Sequence, residues 1–271
     1  MQLTTEAGSP AAPLGLGARE DGNAAGIARA VRQGVNFFFL YHLAGGRWAT
    51  ALADIAGRER LSVILATGGE SRDREAMRHS LEVFLEALRT DYLDIFFAEY
   101  VRPDEEPDRI HGDGGVLAEL QRWKEEGVIR YVGASAHDRV VSRRLAEDPR
   151  VDVLMQRYNM AHRAAADEVF PACRHNNVAL VAFTATRWAT LLAGNPGWPD
   201  DPPSAADCYR FCMAHPDVAV TLASPANATE LEENLEVLGQ APMATHEIER
   251  WKRYGDLVYG DGTDSFETDW P

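Results

Sequence analysis

Short apolar runs alternate along this chain with stretches whose apolar residues recur every three or four positions. The runs read as buried strands and the stretches as amphipathic helices. Strands are predicted at residues 14–17, from Val35 onward, and at 61–67, 92–98, 129–134, 151–156, 178–184 and 218–222. Helices are predicted at residues 23–33, 48–58, 72–88, 115–126, 139–146, 164–175, 204–215 and 228–238. The third of these helices is the clearest, with Met77, Leu81, Phe84, Leu85 and Leu88 on one side. Strand and helix alternate throughout, with no linker and no break in composition. That order predicts one (β/α)8 barrel, an α/β fold of the TIM type, over residues 1–271. A mobile lead is expected at about residues 1–12, and a polar tail over the pocket at about residues 240–271. An open doubly wound sheet would need a glycine-rich phosphate turn after the first strand, and Gly15-Leu-Gly17-Ala-Arg-Glu is a poor match.

Composition narrows the partners. The 271 residues are 45% hydrophobic and 25% charged, with a formal net charge of −15. Such an acidic chain lacks the clustered cations that hold phosphate backbones, and it is not drawn to anionic membranes. No apolar run approaches the roughly 20 residues that span a bilayer, and the first residues lack the pattern of a secretory signal, so a cytoplasmic address is expected. The partner predicted is a small-molecule substrate or ligand, with neither nucleic acid nor membrane; oligomeric state is not legible. The three cysteines form no disulfide framework. Cys208 and Cys212, four apart on one helix, read as small buried residues, and no metal site is predicted.

Five segments, in order, resemble the aldo-keto reductases across roughly residues 14–240. They are Gly34-Val-Asn-Phe-Phe-Phe-Leu-Tyr-His-Leu-Ala-Gly45, residues 91–98, Gly127-Val-Ile-Arg-Tyr-Val-Gly-Ala-Ser135, Tyr158-Asn159 and Leu231-Glu-Glu-Asn234. The resemblance implies the barrel and a nicotinamide cofactor that delivers hydride to a carbonyl, with a tyrosine as proton donor helped by a lysine, an aspartate and a histidine. It places Phe39 at the aspartate, Ala44 at the tyrosine, Gly68 at the lysine and Glu99 at the histidine. On that correspondence the catalytic tetrad is degenerate.

The cofactor positions are mixed. The resemblance implies Ser135 and Phe183 at the nicotinamide, and Glu233 and Asn234 near the adenine. Ala136 and Met155 replace two further polar contacts, while Ser224 and Glu230 stand where the family holds a 2′-phosphate with basic residues. No cofactor is certain on this reading. NADH or NADPH is allowed with weakened contacts, and the acidic substitution disfavours NADPH.

Four residues are the candidates for chemistry. Glu99 follows Leu93, Ile95 and Phe97 at strand period, so it should face inward at the barrel mouth, where burial would raise its pKa and suit acid or base work. It reads equally as a partner of Arg102 or a loop cap. Tyr41 and His42, in the loop after the second strand, could replace the missing donor. Arg157, two residues beyond Met155, opens a polar run fit for an anion, or pairs with Glu99 across the mouth. His137 and the tryptophans Trp48, Trp188 and Trp198 are further mouth residues, each with a plain packing alternative.

Three functions stay open, so whether the chain is an enzyme does. The main expectation is a diverged non-redox enzyme of specialised metabolism, performing isomerisation, dehydration or cyclisation with Glu99 as acid or base. The second is an unusual NAD(P)H-dependent oxidoreductase acting on a carbonyl or C=C bond, with Tyr41 or His42 as donor. The third is a pseudoenzyme, a non-catalytic subunit that binds a metabolite or cofactor.

Overall fold

A computed structural model of the chain describes residues 1–18, 24–41 and 46–260. His42 and Ala44, like Phe266 and Trp270 of the tail, lie outside these residues. The strands are β1 (Leu14–Gly17), β2 (Phe37–Leu40), β3 (Ile64–Gly69), β4 (Leu93–Ala98), β5 (Ile129–Ala136), β6 (Val153–Arg157), β7 (Ala179–Phe183) and β8 (Val218–Ala223). They pair in parallel and in sequence order, with β8 returning to β1, to close an eight-stranded barrel. The helices that follow them are α1 (Ile27–Arg32), α2 (Arg47–Glu59), α3 (Arg74–Leu88), α4 (Pro107–His111), α5 (Val116–Glu125) and α6 (Arg139–Glu147). Then come α7 (Ala165–Glu168), α8 (Phe170–His175), α9 (Ala205–Met213), α10 (Ala228–Glu236) and α11 (Thr245–Tyr259).

Strand alternation divides the core in two. Phe37, Phe39, Ile64, Ala66, Ile95, Phe97, Val153, Met155 and Val181 fill the barrel interior. Phe38, Leu40, Leu65, Phe96 and Leu154 face outward under the helices. Leu93 belongs to this outer layer, so the inward series of β4 begins at Ile95. Among the described residues, no helix is long and apolar enough to cross a membrane.

Both terminal segments carry packing of their own. Leu3 is 2% exposed and joins the barrel-interior cluster, while Thr4 bridges Pro10. The Arg130 guanidinium donates to the Thr4 and Thr5 carbonyls at 3.1 and 3.3 Å, so the lead is tied to β5. The predicted polar tail contains α11, whose Trp251, Tyr254 and Gly255 are buried. A Cβ at Gly255 would lie 1.9 Å from the Met160 carbonyl oxygen, so only glycine lets α11 approach the loop after β6 so closely. Arg163, reaching the Lys252 carbonyl and Asp256, and Arg187, donating to the Val258 carbonyl at 2.6 Å, anchor the same end of α11.

Candidate active site

The C-terminal ends of the strands form one rim, and strand alternation decides what points into it. Tyr41 continues the inward series of β2, Gly68 that of β3, Glu99 that of β4, Ser135 and His137 that of β5, Arg157 that of β6 and Phe183 that of β7. Inward placement at these strand ends is what a barrel uses to carry chemistry.

Glu99 is 3% exposed, and its Oε2 has no hydrogen-bond partner. Burial, reinforced by the nearby Glu70 carboxylate and only partly offset by Arg72, pushes its carboxyl up to about 8. Near neutral pH it is therefore mostly a protonated acid. Neither predicted ion pair forms. Arg102 pairs with Asp104 at 3.4 Å, and among the described residues no ion pair joins Glu99 to Arg102 or to Arg157. The space for this carboxyl comes from β3. A Cβ at Gly68 would lie 2.6 Å from Glu99 Cγ, 2.8 Å from its Oε1 and 2.6 Å from the Phe97 carbonyl oxygen. Glu99 thus fills the place of the side chain that Gly68 lacks.

Tyr41 stands edge-on to Phe39 with ring centroids 4.6 Å apart, and Phe39 in turn meets Phe97 at 5.6 Å. Burial, with Tyr100 and Glu99 as negative neighbours, holds the Tyr41 phenol well above its ordinary value, so it gives up a proton reluctantly. Tyr100 takes a left-handed backbone at φ 50, its N–H donates to Ser135 Oγ at 3.1 Å, and its ring stacks on His137 at 5.7 Å. His137 meets Phe183 edge-on at 5.2 Å. Burial and the adjacent Arg157 press the His137 imidazole down to about 4, so it is neutral at physiological pH.

Two residues that matter here were not legible as site residues. Arg72 is predicted as the first residue of the third helix, but Asp73 caps α3 by accepting from Ala76 N, which leaves Arg72 in the loop. From there it pairs with Glu105 at 2.8 Å and donates to the Glu99 carbonyl at 2.8 Å, fixing the loop that carries Glu99. The Asp73 cap, followed by Glu75, is the signal that could have placed it outside the helix. Tyr100 owes its place to its left-handed backbone, which strand period cannot anticipate.

Beside the rim runs a groove of about 710 Å³, bounded by the loops after β7 and β8 and the first turns of α9 and α10. Tyr41, Phe183, Ser224, Glu230, Glu233 and Asn234 line it. All six were predicted at a cofactor or catalytic position or as replacements there, whereas Ser135 is engaged with Tyr100 and does not line the groove. Among the described lining residues there is no Lys, Arg or His. The Glu230 carboxylate accepts from Ala226 N at 2.8 Å and from Asn227 Nδ2 at 2.9 Å, so it closes the first turn of α10. Trp188 lines the groove and is 46% exposed. Trp48 and Trp198 take their packing alternatives: Trp48 is on the buried face of α2, and Trp198 packs on Trp251 and Tyr254 of α11. Cys208 and Cys212 are buried on α9, with the Cys212 thiol donating to the Tyr158 carbonyl at 3.2 Å.

The aldo/keto reductase family model matches residues 21–195. The chain belongs to the aldo/keto reductase family. Among solved structures it is similar to an aldo-keto reductase from Bacillus halodurans in its holo form, with a TM-score of 0.74, 19% identity and coverage of 93% of this chain and 95% of that one. It is also similar to an aldo-keto reductase from Klebsiella pneumoniae solved with NADPH, with a TM-score of 0.72, 16% identity and coverage of 94% and 96%. At such identities these likenesses establish the reductase barrel alone. A curated relative, the NADH-specific methylglyoxal reductase of Escherichia coli K12, is 26% identical over 110 residues, which is 41% of this chain and only 33% of that protein.

Proposed function

We propose that this aldo/keto reductase family member is a nicotinamide-dependent oxidoreductase that reduces a carbonyl or conjugated C=C bond, prefers NADH, and draws its proton from Glu99. The observation that carries this reading is a buried, neutral carboxyl at the rim, close to a groove of about 710 Å³ that Tyr41 lines. The family and its neighbours support it over the non-redox chemistry expected first from the sequence. The tetrad is degenerate on this reading, with Phe39, Gly68 and Glu99 at three of its positions and Ala44, outside the described residues, at the fourth.

A bound dinucleotide would supply hydride. Phe183 would offer a ring face at its reacting end, and Asn234 and Glu233 polar groups at the other. The groove suits such a ligand in size, while the absence of a cation among its described lining residues, with Glu230 and Glu233 present, opposes a 2′-phosphate. The Escherichia coli relative carries the same preference in its name. The chain's own part is to hold a proton on the Glu99 carboxyl, shield it from water with Phe39, Phe97 and Tyr41, and release it to the substrate as negative charge develops there. Glu99 replaces Tyr41 and His42 as the favoured donor. Tyr41 is too weak an acid, and His42 lies outside the described residues.

Titration of the protein with NADH and NADPH, followed by tryptophan quenching and confirmed by calorimetry, tests the reading. Micromolar binding of NADH with weaker NADPH is expected. Failure of both to bind at millimolar concentration would overturn it and leave acid–base chemistry at Glu99, a reading that the lack of a cation among the described lining residues of the groove would then favour.

A further inference from the structure

Arg72 and Glu99 leave complementary atoms unused. The Arg72 guanidinium directs Nε and Nη2 at the two Glu105 carboxylate oxygens, at 2.8 and 3.1 Å, and Nη2 also donates to the Glu99 carbonyl at 2.8 Å. Its Nη1 has no hydrogen-bond partner, and neither has Glu99 Oε2. Both groups are buried, with 4% of the Arg72 side chain exposed and Glu99 3% exposed. Buried polar atoms seldom lack a partner, so a spare donor on the very guanidinium that holds Glu99 by its main chain, and a spare acceptor on Glu99 itself, call for a physical cause.

Glu105 supplies that cause. Its Oε1 also accepts from Arg102 N at 2.9 Å, and its own N–H donates to the Arg102 carbonyl at 3.3 Å, so the carboxylate is fixed to the loop after β4. Burial opposes its charge, but the bonds from Arg72 and Arg102 outweigh burial and hold the Glu105 carboxyl below its ordinary value. Two parallel bonds to a fixed carboxylate set the plane of a guanidinium, so Arg72 is turned to Glu105 and gives Glu99 a main-chain bond alone. The pair belongs to the rim: Arg72 and Glu105 line, with Tyr100 and His137, a cavity of about 400 Å³. The other groups acting on the Glu99 site are Glu70 on the Arg72 loop, Tyr41 at the end of β2 and Tyr100 on the loop of Glu99 itself. Beyond Tyr100, His137 on β5 is neutral with Arg157 of β6 against it. Arg72 is thus the cation that bears on the Glu99 carboxyl, and Glu105 decides where it points.

We propose that Glu105 is a positioning residue for the proton donor: by holding the Arg72 guanidinium it keeps Arg72 Nη1 off Glu99 Oε2, so that the Glu99 carboxyl keeps its proton until a substrate takes it. The inference rests on the reading of Glu99 as donor. Infrared spectra of the full chain, recorded across pH without dinucleotide or substrate, test it through the C=O band of a protonated carboxyl, assigned by its loss in Glu99→Gln. In the native chain the band should titrate near pH 8. Glu105→Gln should lower that midpoint by about 1–3 pH units, the effect of an arginine brought against a carboxylate, while Glu105→Asp should keep most of the native value. Adding Arg72→Met to Glu105→Gln should return the midpoint to the native value or above it, which a merely structural role for Glu105 would not do. An unmoved midpoint in Glu105→Gln, as when Glu70 captures the released guanidinium, would overturn the proposal, and so would a fall that persists in the double variant. Where Glu105→Gln fails to fold, Arg72→Met alone decides: the midpoint should rise, and a midpoint that stays or falls would overturn the proposal. A titration that follows this pattern in a chain that binds no NADH would sink the reductase reading and leave the role of Glu105 standing.

Discussion

Replacing Glu99 by Gln keeps the shape of the protonated side chain and removes its titration. The native carboxyl is raised from 4.5 to about 8 by burial, so between those values the folded protein holds a proton that the unfolded chain has released. The stability that goes with the neutral acid is fully present below the unfolded value and is lost as pH rises toward the native one. Each pH unit in that window costs about 1.4 kcal/mol, or roughly 2.5 kcal/mol between about pH 5.5 and about pH 7.5. With the side chain only 3% exposed, solvent screening does little to reduce this. Glu99→Gln should therefore gain on the wild type by that amount across the window, since every other titrating group cancels in the difference. Urea unfolding followed by tryptophan fluorescence at several pH values measures it. If the two stabilities run parallel from acid to alkaline pH, Glu99 is not a neutral buried acid, and its role as proton donor falls with it.

Three further outcomes follow from the packing. Gly68→Ala should lower stability by about 1–3 kcal/mol in a thermal or urea melt, because its Cβ meets both the Glu99 side chain and the Phe97 carbonyl; an unchanged melt would mean that Glu99 does not occupy that space. His137 should stay neutral down to about pH 4 in an NMR titration, and Arg157→Met should raise its pKa while burial keeps it below 6.5; stability should decline as pH falls from 6.5 toward 4, where the unfolded chain takes up the proton first. Gly255→Ala should detach α11, which limited proteolysis would report as early cleavage near the C-terminal end, whereas unchanged protection would contradict the backbone approach to Met160.

Much of the barrel was legible because two periods carry it. Inward Phe37 and Phe39 alternate with outward Phe38 and Leu40, and the same alternation, begun at Ile95, delivered Glu99 to the mouth. What failed to read were features without a period of their own. The lead is short and unpatterned, yet Leu3 finds a hydrophobic interior open at the bottom of the barrel. In α11 the residues Glu247, Glu249, Arg250, Lys252 and Arg253 interrupt the apolar positions, and its buried Trp251, Tyr254 and Gly255 are too few to announce a helix among them. Pair choice was hidden as well. Arg102 was available to Glu99 in sequence, but Asp104 and Glu105 were nearer in space, and Arg72 reached the Glu99 carbonyl in place of its carboxyl.

The changes at the rim are physically linked on the proposed reading. An aspartate at position 39 and a lysine at 68 would face each other on neighbouring strands, and deleting one would leave the other charged and buried, at a cost of about 3–5 kcal/mol. With Phe39 1% exposed against Phe97 and Gly68 bare, both charges are absent and neither position carries that penalty. The space over Gly68 then has to be filled, and Glu99 fills it in place of an imidazole. A carboxyl there, without the cation that would hold it ionised, becomes a neutral acid. The loss of the paired charges and the appearance of a neutral acid are then two consequences of the same cavity.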